Sequence, residues 1–221
     1  MRTITGAVFQ SLDGVMQAPG GPEEDRSGGF ALGGWLFDYF DEEGGKRIDA
    51  LFSGPFDLLL GRRTYDIFAA YWPFAEGENE SLGRRFDRAA KYVLTRSDEP
   101  LSWQNSHRLA DLDALAEVRK GEGPPIIVQG SSTLYPQLLA AGLLDRLVLM
   151  SFPLTLGSGK RLFGEGTPAK SMRLVEHQIT GAGAVIATYE PHGEVRPGSF
   201  PTEEPSPAEI ERRARMERGA W

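Results

Sequence analysis

The sequence predicts an α/β protein with a mostly parallel sheet, helices on both faces and an antiparallel C-terminal edge. Short apolar runs alternate with segments of helical periodicity over residues 2–152, the pattern of βαβ units. Two strand-like segments, 172–179 and 185–189, flank Gly181–Gly183, which is typical of a hairpin. The 221 residues, 40% of them hydrophobic, suffice for one full core. We expect this domain to cover residues 1–190.

The first half of the chain is predicted to alternate strands with helices. Residues 2–10 are β-rich and predict the first strand, and the Gly-, Pro- and acid-rich segment 17–34 predicts a long loop. Loops of this length in compact domains often act as lids. Bulky residues at helical spacing predict a helix over 35–52, interrupted at Gly44–Gly45. Further strands are predicted at 57–60 and 91–95, and further helices at 64–71 and 82–89.

The second half continues this alternation and then changes in composition. Helices are predicted at 109–120 and 133–141, and strands at 126–128 and 144–152. After Glu190, residues 191–207 are rich in Pro, Gly and Glu and are predicted to be extended or flexible. Residues 209–218 are charged almost throughout, which predicts a solvated helix or a tail that packs on a partner subunit. We therefore treat 191–221 as a separate tail.

Composition excludes several classes of function. The net charge of −7 argues against general nucleic-acid binding, so an anionic cofactor would need local arginines. Without cysteine there is no disulfide and no thiolate catalysis, and with three scattered histidines we expect no metal site. The chain starts in a strand-like pattern, and no apolar run reaches the roughly 20 residues that span a bilayer. We expect a cytoplasmic protein with no membrane or nucleic-acid partner.

Three predicted strands end in residues suited to phosphate. The three groups are Gly61, Arg62, Arg63 and Thr64; Thr95, Arg96 and Ser97; and Gln129, Gly130, Ser131, Ser132 and Thr133. Ligands of open α/β sheets bind at the carboxyl ends of the strands, where helix N-termini and arginines attract phosphate. Together the groups predict a site for a dinucleotide with an extra ribose phosphate. Taken alone, each group could instead be an ordinary turn, and Gly130–Ser132 could instead cap a helix.

The order of these motifs resembles the dihydrofolate reductase superfamily, and more closely its branch with the pyrimidine reductase domain of riboflavin biosynthesis. The motifs that carry the resemblance are Ser11–Gly14, Leu60–Tyr65, Val93–Ser97, Val128–Ser132, Asp145–Leu149 and Pro153–Phe163. The resemblance covers roughly residues 2–190. It implies NADPH as the cofactor, hydride transfer to a small heterocyclic substrate and a homodimer.

The resemblance also implies roles by position. Arg62 and Thr95–Ser97 would hold the 2′-phosphate, and Arg63 and Thr64 would meet the diphosphate together with Gly130–Ser132. The backbone of Val8 and Phe9 would contact the nicotinamide amide, under a flap formed by Val15, Met16 and Gln17. Substrate contacts would come from Asp13, Trp35 and Phe37. Asp13 could instead stabilise the Asp-Gly turn, and the aromatic residues could instead belong to the hydrophobic core. A cis peptide is implied between Gly130 and Ser131.

The chain departs from true dihydrofolate reductases at the proton donor. At their spacing from Gly61, the buried carboxylate falls on Gly45, which has no acidic group. Asp38 and Asp41 are the nearest candidate acids, although both also suit solvated positions. Three functions stay open: an NADPH-dependent reductase of a pyrimidinone or pterin, a nucleotide-binding module without turnover, and a dihydrofolate reductase with a displaced acid.

Overall fold

The computed structural model describes residues 1–199 and 204–220, which form one sheet flanked by helices. The strands are β1 (Ile4–Ser11), β2 (Asp57–Gly61), β3 (Lys91–Leu94), β4 (Ser106–Leu109), β5 (Ile126–Gln129), β6 (Arg146–Phe152), β7 (Met172–Ile179) and β8 (Val185–Pro191). The α-helices are α1 (Glu42–Leu51), α2 (Arg62–Tyr71), α3 (Glu80–Arg88), α4 (Leu112–Lys120), α5 (Leu134–Ala140) and α6 (Pro207–Glu217).

The predicted fold class is confirmed by the sheet topology. The strand order is β4-β3-β2-β5-β1-β6-β8-β7. The first six strands in this order run parallel, whereas β8 is antiparallel to both β6 and β7. All the parallel strands therefore end at one edge of the sheet, which we call the carboxyl edge; the opposite one is the amino edge.

Helices cover both faces because strand side chains alternate. Val8 and Val128 pack with Leu138 of α5 and with α4, and we call this the α5 face. Ala7 and Ile127 point the other way, into a cluster with Phe52 and with residues of α2 and α3; we call this the α2 face. Beside that cluster, β6 and β8 pack against the long 15–36 segment.

Two predicted elements need correction. Residues 106–109 form the edge strand β4, where a loop was expected; only Leu109 is buried, so the apolar alternation that predicts a strand is missing. The helix expected from residue 35 begins at Glu42, because Asp41 caps it by accepting the N–H of Gly44 at 3.0 Å. Gly44 does not interrupt this helix: it is buried against Phe40, where a Cβ would come within 3.1 Å of the ring.

The C-terminal segment makes little contact with the domain. In α6 no residue is buried, and Glu209 forms ion pairs with Arg212 and Arg213 of the same helix. Phe200–Glu203, within the predicted extended segment, lie outside the described residues. A search of the described helices finds none long and apolar enough to cross a membrane.

Candidate functional site

The carboxyl edge contains a crevice beside β1. The pairing of β1 with β5 stops at Ala7 and Gln129, whereas its pairing with β6 continues to Ser11 and Phe152. The backbone of β1 from Val8 onward therefore has no strand on its β5 side. The chain leaves β1 towards β2 and leaves β5 towards β6, so this crevice is the kind of switch point where α/β sheets bind ligands.

The loops after β2 and β5 are joined at this edge by two hydrogen bonds. The Gly61 N–H donates to Ser131 Oγ at 2.8 Å, and the Ser131 N–H donates to Thr64 Oγ1 at 3.1 Å. Gly130 has a φ of +61° and lies so close that a Cβ would come within 3.0 Å of Thr64 Cγ2. Two of the three predicted phosphate-binding loops are therefore joined into one structural unit. The expected cis peptide is wrong: the Gly130–Ser131 bond is trans, and Ser131 also has a positive φ of +59°.

The helices that begin at this unit have no side-chain caps. Gly61 is the N-cap of α2 and Thr133 that of α5, and neither supplies a side-chain hydrogen bond. By contrast, α1 and α4 are capped by Asp41 and Asp111. The first N–H groups of α2 have no partner within the helix, and the helix dipole makes this end positive. The ten-residue α2 thus presents free donors at the carboxyl edge.

The arginines near these loops differ in how they are held. Arg62 donates to Asp66 at 2.9 Å and to the Glu99 carbonyl at 2.9 Å, and the hydrogen bond from Asp66 raises the pKa of its guanidinium. Arg63 and Arg96 are exposed, and within residues 1–199 and 204–220 neither makes an ion pair or side-chain hydrogen bond. These two cations are therefore available to a ligand without breaking an internal contact.

The loop after β3 is shaped by hydrogen bonds that the sequence did not reveal. Thr95 is buried, and its Oγ1 accepts the N–H of Ser97 at 3.0 Å. Arg108 of β4 donates to the carbonyls of Ser97 and Glu99. Since β4 was not predicted, this anchoring arginine could not have been identified from the sequence.

The predicted flap is tied down at Gln17. Its Nε2 donates to the carbonyls of Asp25 and Ser27 at 3.0 and 2.9 Å, and its Oε1 accepts the Lys160 N–H at 3.0 Å. The Lys160 ammonium also forms an ion pair with Asp25. A cavity of about 270 Å³ lies here; its lining is Gln17, Ser27, Gly28, Phe30, Ser158, Gly159 and Lys160. The side chain of Gln17 thus organises the loop, while Val15 and Met16 beside it are buried.

The three predicted substrate contacts occupy different settings. Trp35 is buried, and its Nε1 donates to the Gln17 carbonyl at 2.8 Å, whereas Phe37 is 66% exposed. The carboxylate of Asp13 accepts hydrogen bonds from Ser11 Oγ at 2.6 Å and from the N–H groups of Leu156 and Gly157. These hydrogen bonds lower the pKa of Asp13 to about 2, and the bond from Ser11 has the largest effect. Asp13 therefore joins the turn after β1 to the loop after β6.

Neither candidate acid is placed as a buried proton donor. Asp38 is exposed in a short 3-10 helix. Asp41 accepts the N–H groups of Gly44 and Ala182, and these bonds lower the pKa of its carboxyl. Asp41 thus stays ionised as the cap of α1. No group of three or more acidic or histidine side chains among the described residues could hold a metal ion.

Gln129 has an unusual environment at the crevice. Its side-chain Oε1 is shielded from solvent and has no hydrogen-bond partner in the described structure. A buried acceptor without a partner costs about 1–3 kcal/mol. The two other such atoms among the described residues, Ser106 Oγ and Arg119 Nε, belong to the start of β4 and to α4, away from the crevice.

Comparison with known families and curated proteins gives a consistent picture. The model of the RibD C-terminal domain family matches residues 2–186, which confirms the predicted resemblance. Two uncharacterized proteins of Bacillus subtilis, YyaP and YwjB, are each 26% identical to the chain. The YyaP match spans 142 residues, which is 62% of this chain and 74% of that protein, and the YwjB match covers 63% and 76%.

Solved structures show the same fold at low identity. A candidate riboflavin biosynthesis protein from Shewanella sp. PV-4 has a TM-score of 0.63 at 18% identity, covering 86% of this chain and 99% of its own. A pyrimidine reductase-like protein from Corynebacterium diphtheriae has a TM-score of 0.57 at 15% identity, covering 87% and 93%. Dihydrofolate reductase from Enterococcus faecalis, complexed with NADP(H) and RAB-propyl, has a TM-score of 0.54 at 17% identity. This match covers 86% of this chain and 96% of that protein.

Proposed function

This chain belongs to the RibD C-terminal domain family, and from that premise we propose that it is an NADPH-dependent reductase. It would transfer a hydride to a small pyrimidinone- or pterin-like heterocycle. The observation that carries the proposal is the unit formed by Gly61, Thr64 and Ser131, where two loops meet at the uncapped N-terminus of α2. This is the chemistry that binds a diphosphate.

The donors around the crevice fit the parts of NADPH. The first turn of α2, with Arg63 and Thr64, and the Gly130–Ser132 loop would hold the diphosphate. Arg62, Arg96 and Ser97 would hold the 2′-phosphate, for which guanidinium groups are well suited. The open backbone of β1 at Val8 and Phe9 would bind the nicotinamide amide. When bound, NADPH supplies the hydride.

The remaining task of the protein is to position a substrate and exclude water. Phe9 lies between Phe40 and Phe152, with both ring centroids 6.1 Å away, and Trp35 packs on Phe152. This aromatic wall, with Gln17 and the loop it organises, borders the β1 crevice on the α2 face. We propose that the substrate ring lies against it, which excludes water from the reacting carbon.

Two alternatives have support of their own. A nucleotide-binding module without turnover is favoured by the engagement of Asp41 in helix capping and by the exposure of Asp38, because neither candidate acid is then placed to supply a proton. A dihydrofolate reductase with a displaced acid shares the fold of the Enterococcus faecalis enzyme. Oxidation of NADPH with a pterin or pyrimidinone would argue against the first, and tight antifolate binding would support the second.

Calorimetric titration of the purified protein with NADPH and with NADH tests the cofactor. We expect micromolar NADPH binding and much weaker NADH binding. Arg62→Ala should weaken the binding of NADPH by about tenfold or more and leave the binding of NADH nearly unchanged, since only NADPH carries the 2′-phosphate. Arg63→Ala is the matched control and should weaken both. Equal losses in Arg62→Ala would refute the 2′-phosphate assignment, and no binding of either nucleotide would refute the cofactor.

We also propose that the protein is a homodimer. The α5 face of β7 and β8 carries apolar side chains that no described helix covers: Leu174, Ile179 and Val185 are 48%, 68% and 42% exposed. A second copy packed there would remove them from water. Sedimentation equilibrium should give twice the chain mass, and a monomer at micromolar concentration would refute the proposal.

A further inference from the structure

We propose that Gln129 selects the substrate of this reductase by hydrogen bonding to a lactam edge, that is, to an adjacent ring N–H and C=O. The inference rests on the proposed function and deepens it, because it names the residue and the group that it recognises. It assigns the carbonyl Oε1 to the substrate N–H and the amide Nε2 to the substrate C=O.

The position of Gln129 places its side chain beside the aromatic wall. It is the last residue of β5 and pairs with Ala7 of β1. Its neighbours on β5 alternate: Val128 packs on the α5 face and Ile127 on the α2 face. Two residues beyond Ile127, Gln129 therefore projects to the α2 face, the side on which Phe9 packs against Phe40.

The amide of Gln129 has unused hydrogen-bonding capacity. Its buried Oε1 has no partner among the described residues, and no described donor or acceptor engages Nε2. In this orientation the buried atom of the amide that lacks a partner is an acceptor, so it can take a hydrogen bond from a donor on a ligand. Gln17, also near the crevice, uses its amide in three hydrogen bonds. A buried acceptor without a described protein partner, beside an Nε2 that is also unbonded, leaves room for a ligand that supplies both a donor and an acceptor.

The chemistry of the amide defines the class of ligand. A primary amide offers one acceptor and one donor side by side, which matches a lactam N–H and C=O in a two-bond arrangement. Pyrimidinones and pterins both carry that edge. Gln129 is also adjacent to the Gly130–Ser132 loop and lies across from β1 where its backbone becomes open at Val8. A ring bound to Gln129 would therefore lie next to the proposed nicotinamide position.

The inference is tested by pairing two probes with two variants. Pterin and 3-methylpterin differ in the lactam N–H, and their affinities are measured by fluorescence titration of the NADPH-loaded protein. We expect wild type to prefer pterin by roughly tenfold, because the methylated ring leaves Oε1 unsatisfied. Gln129→Met, which is similar in size but lacks the amide, should lose this preference when both pterins are compared at saturating NADPH.

Gln10→Met is the matched control. The Gln10 amide donates to Ser151 Oγ at 3.2 Å and is already engaged, so this variant should keep the pterin preference. An unchanged preference in Gln129→Met, or no pterin binding by an NADPH-loaded wild type, would overturn the role of Gln129 and leave the cofactor proposal standing. Failure of wild type to bind NADPH would overturn the proposed function and this inference with it.

Discussion

The two edges of the sheet differ in how their cationic side chains are held. At the amino edge, the buried Arg2 donates to Asp57, to the Pro124 carbonyl and to Tyr92 Oη. The fully buried Lys91 donates to the carbonyls of Phe86 and Asp87 at the end of α3, both at 3.0 Å. Burial of this ammonium lowers its pKa to about 8. Both of these buried cations are therefore hydrogen bonded within the chain.

At the carboxyl edge, polar groups are left over. The helix α2 begins without a side-chain cap, Arg63 and Arg96 have no described internal partner, and the Gln129 amide is unsatisfied. Buried side-chain atoms without a described partner occur at both edges, since Ser106 Oγ and Arg119 Nε lie at the amino edge. What distinguishes the carboxyl edge is the uncapped start of α2 together with two exposed guanidinium groups that a ligand can reach. The difference supports the proposal that the carboxyl edge binds the cofactor, while the buried ion pair of the amino edge stabilises the fold.

The largest expected effect comes from breaking the amino edge. Asp57 accepts the Arg2 guanidinium through Oδ2 and the Ala90 N–H through Oδ1 at 3.0 Å. Asp57→Ala would leave a buried guanidinium unpaired, so it should cost about 3–5 kcal/mol in urea unfolding. NADPH affinity of the folded fraction should stay unchanged. Asp113→Ala, at an exposed position on α4, should lie within about 0.5 kcal/mol of wild type.

A loss in Asp57→Ala no larger than in Asp113→Ala would show that the amino edge does not stabilise the fold as argued. A large loss of NADPH affinity in the folded variant would show that the two edges are not separate in function.

A smaller effect is expected at Asp13, which stabilises the carboxyl edge. Its pKa in the folded protein is about 2, below the usual value near 4. Its contribution is therefore complete above pH 4 and is lost as the pH falls from 4 through 2. Asp13→Asn should lower the thermal midpoint by a few degrees at pH 7, and the difference from wild type should close over that window.

The sequence around Asp13 does not separate its two roles, in a local turn and in a contact between distant loops. An Asp-Gly pair indicates a turn, but the N–H groups that Asp13 accepts belong to Leu156 and Gly157, far along the chain. If the difference in thermal midpoint between wild type and Asp13→Asn does not depend on pH, the charge of Asp13 does not hold these loops together.

The sequence predicted the elements with clear periodicity, and the structure corrected those without it. The strand at 126–129 follows from its continuous apolar run, whereas β4 has one buried residue and carries no such pattern. The start of α1 was missed because Trp35 and Phe40 have helical spacing but pack as loop residues in the core. Apolar spacing alone does not separate a helix from an aromatic loop.

The sequence by itself determined the α/β class, the family resemblance and the three phosphate-type motifs, because each is encoded by neighbouring residues. Only the tertiary structure decided that Ser131 joins Gly61 and Thr64 and that Gln17 and Asp41 form hydrogen bonds inside the chain. It also decided that Gln129 Oε1 is buried without a partner among the described residues. Hydrogen bonding between distant residues depends on strand order and register, which local sequence patterns do not specify.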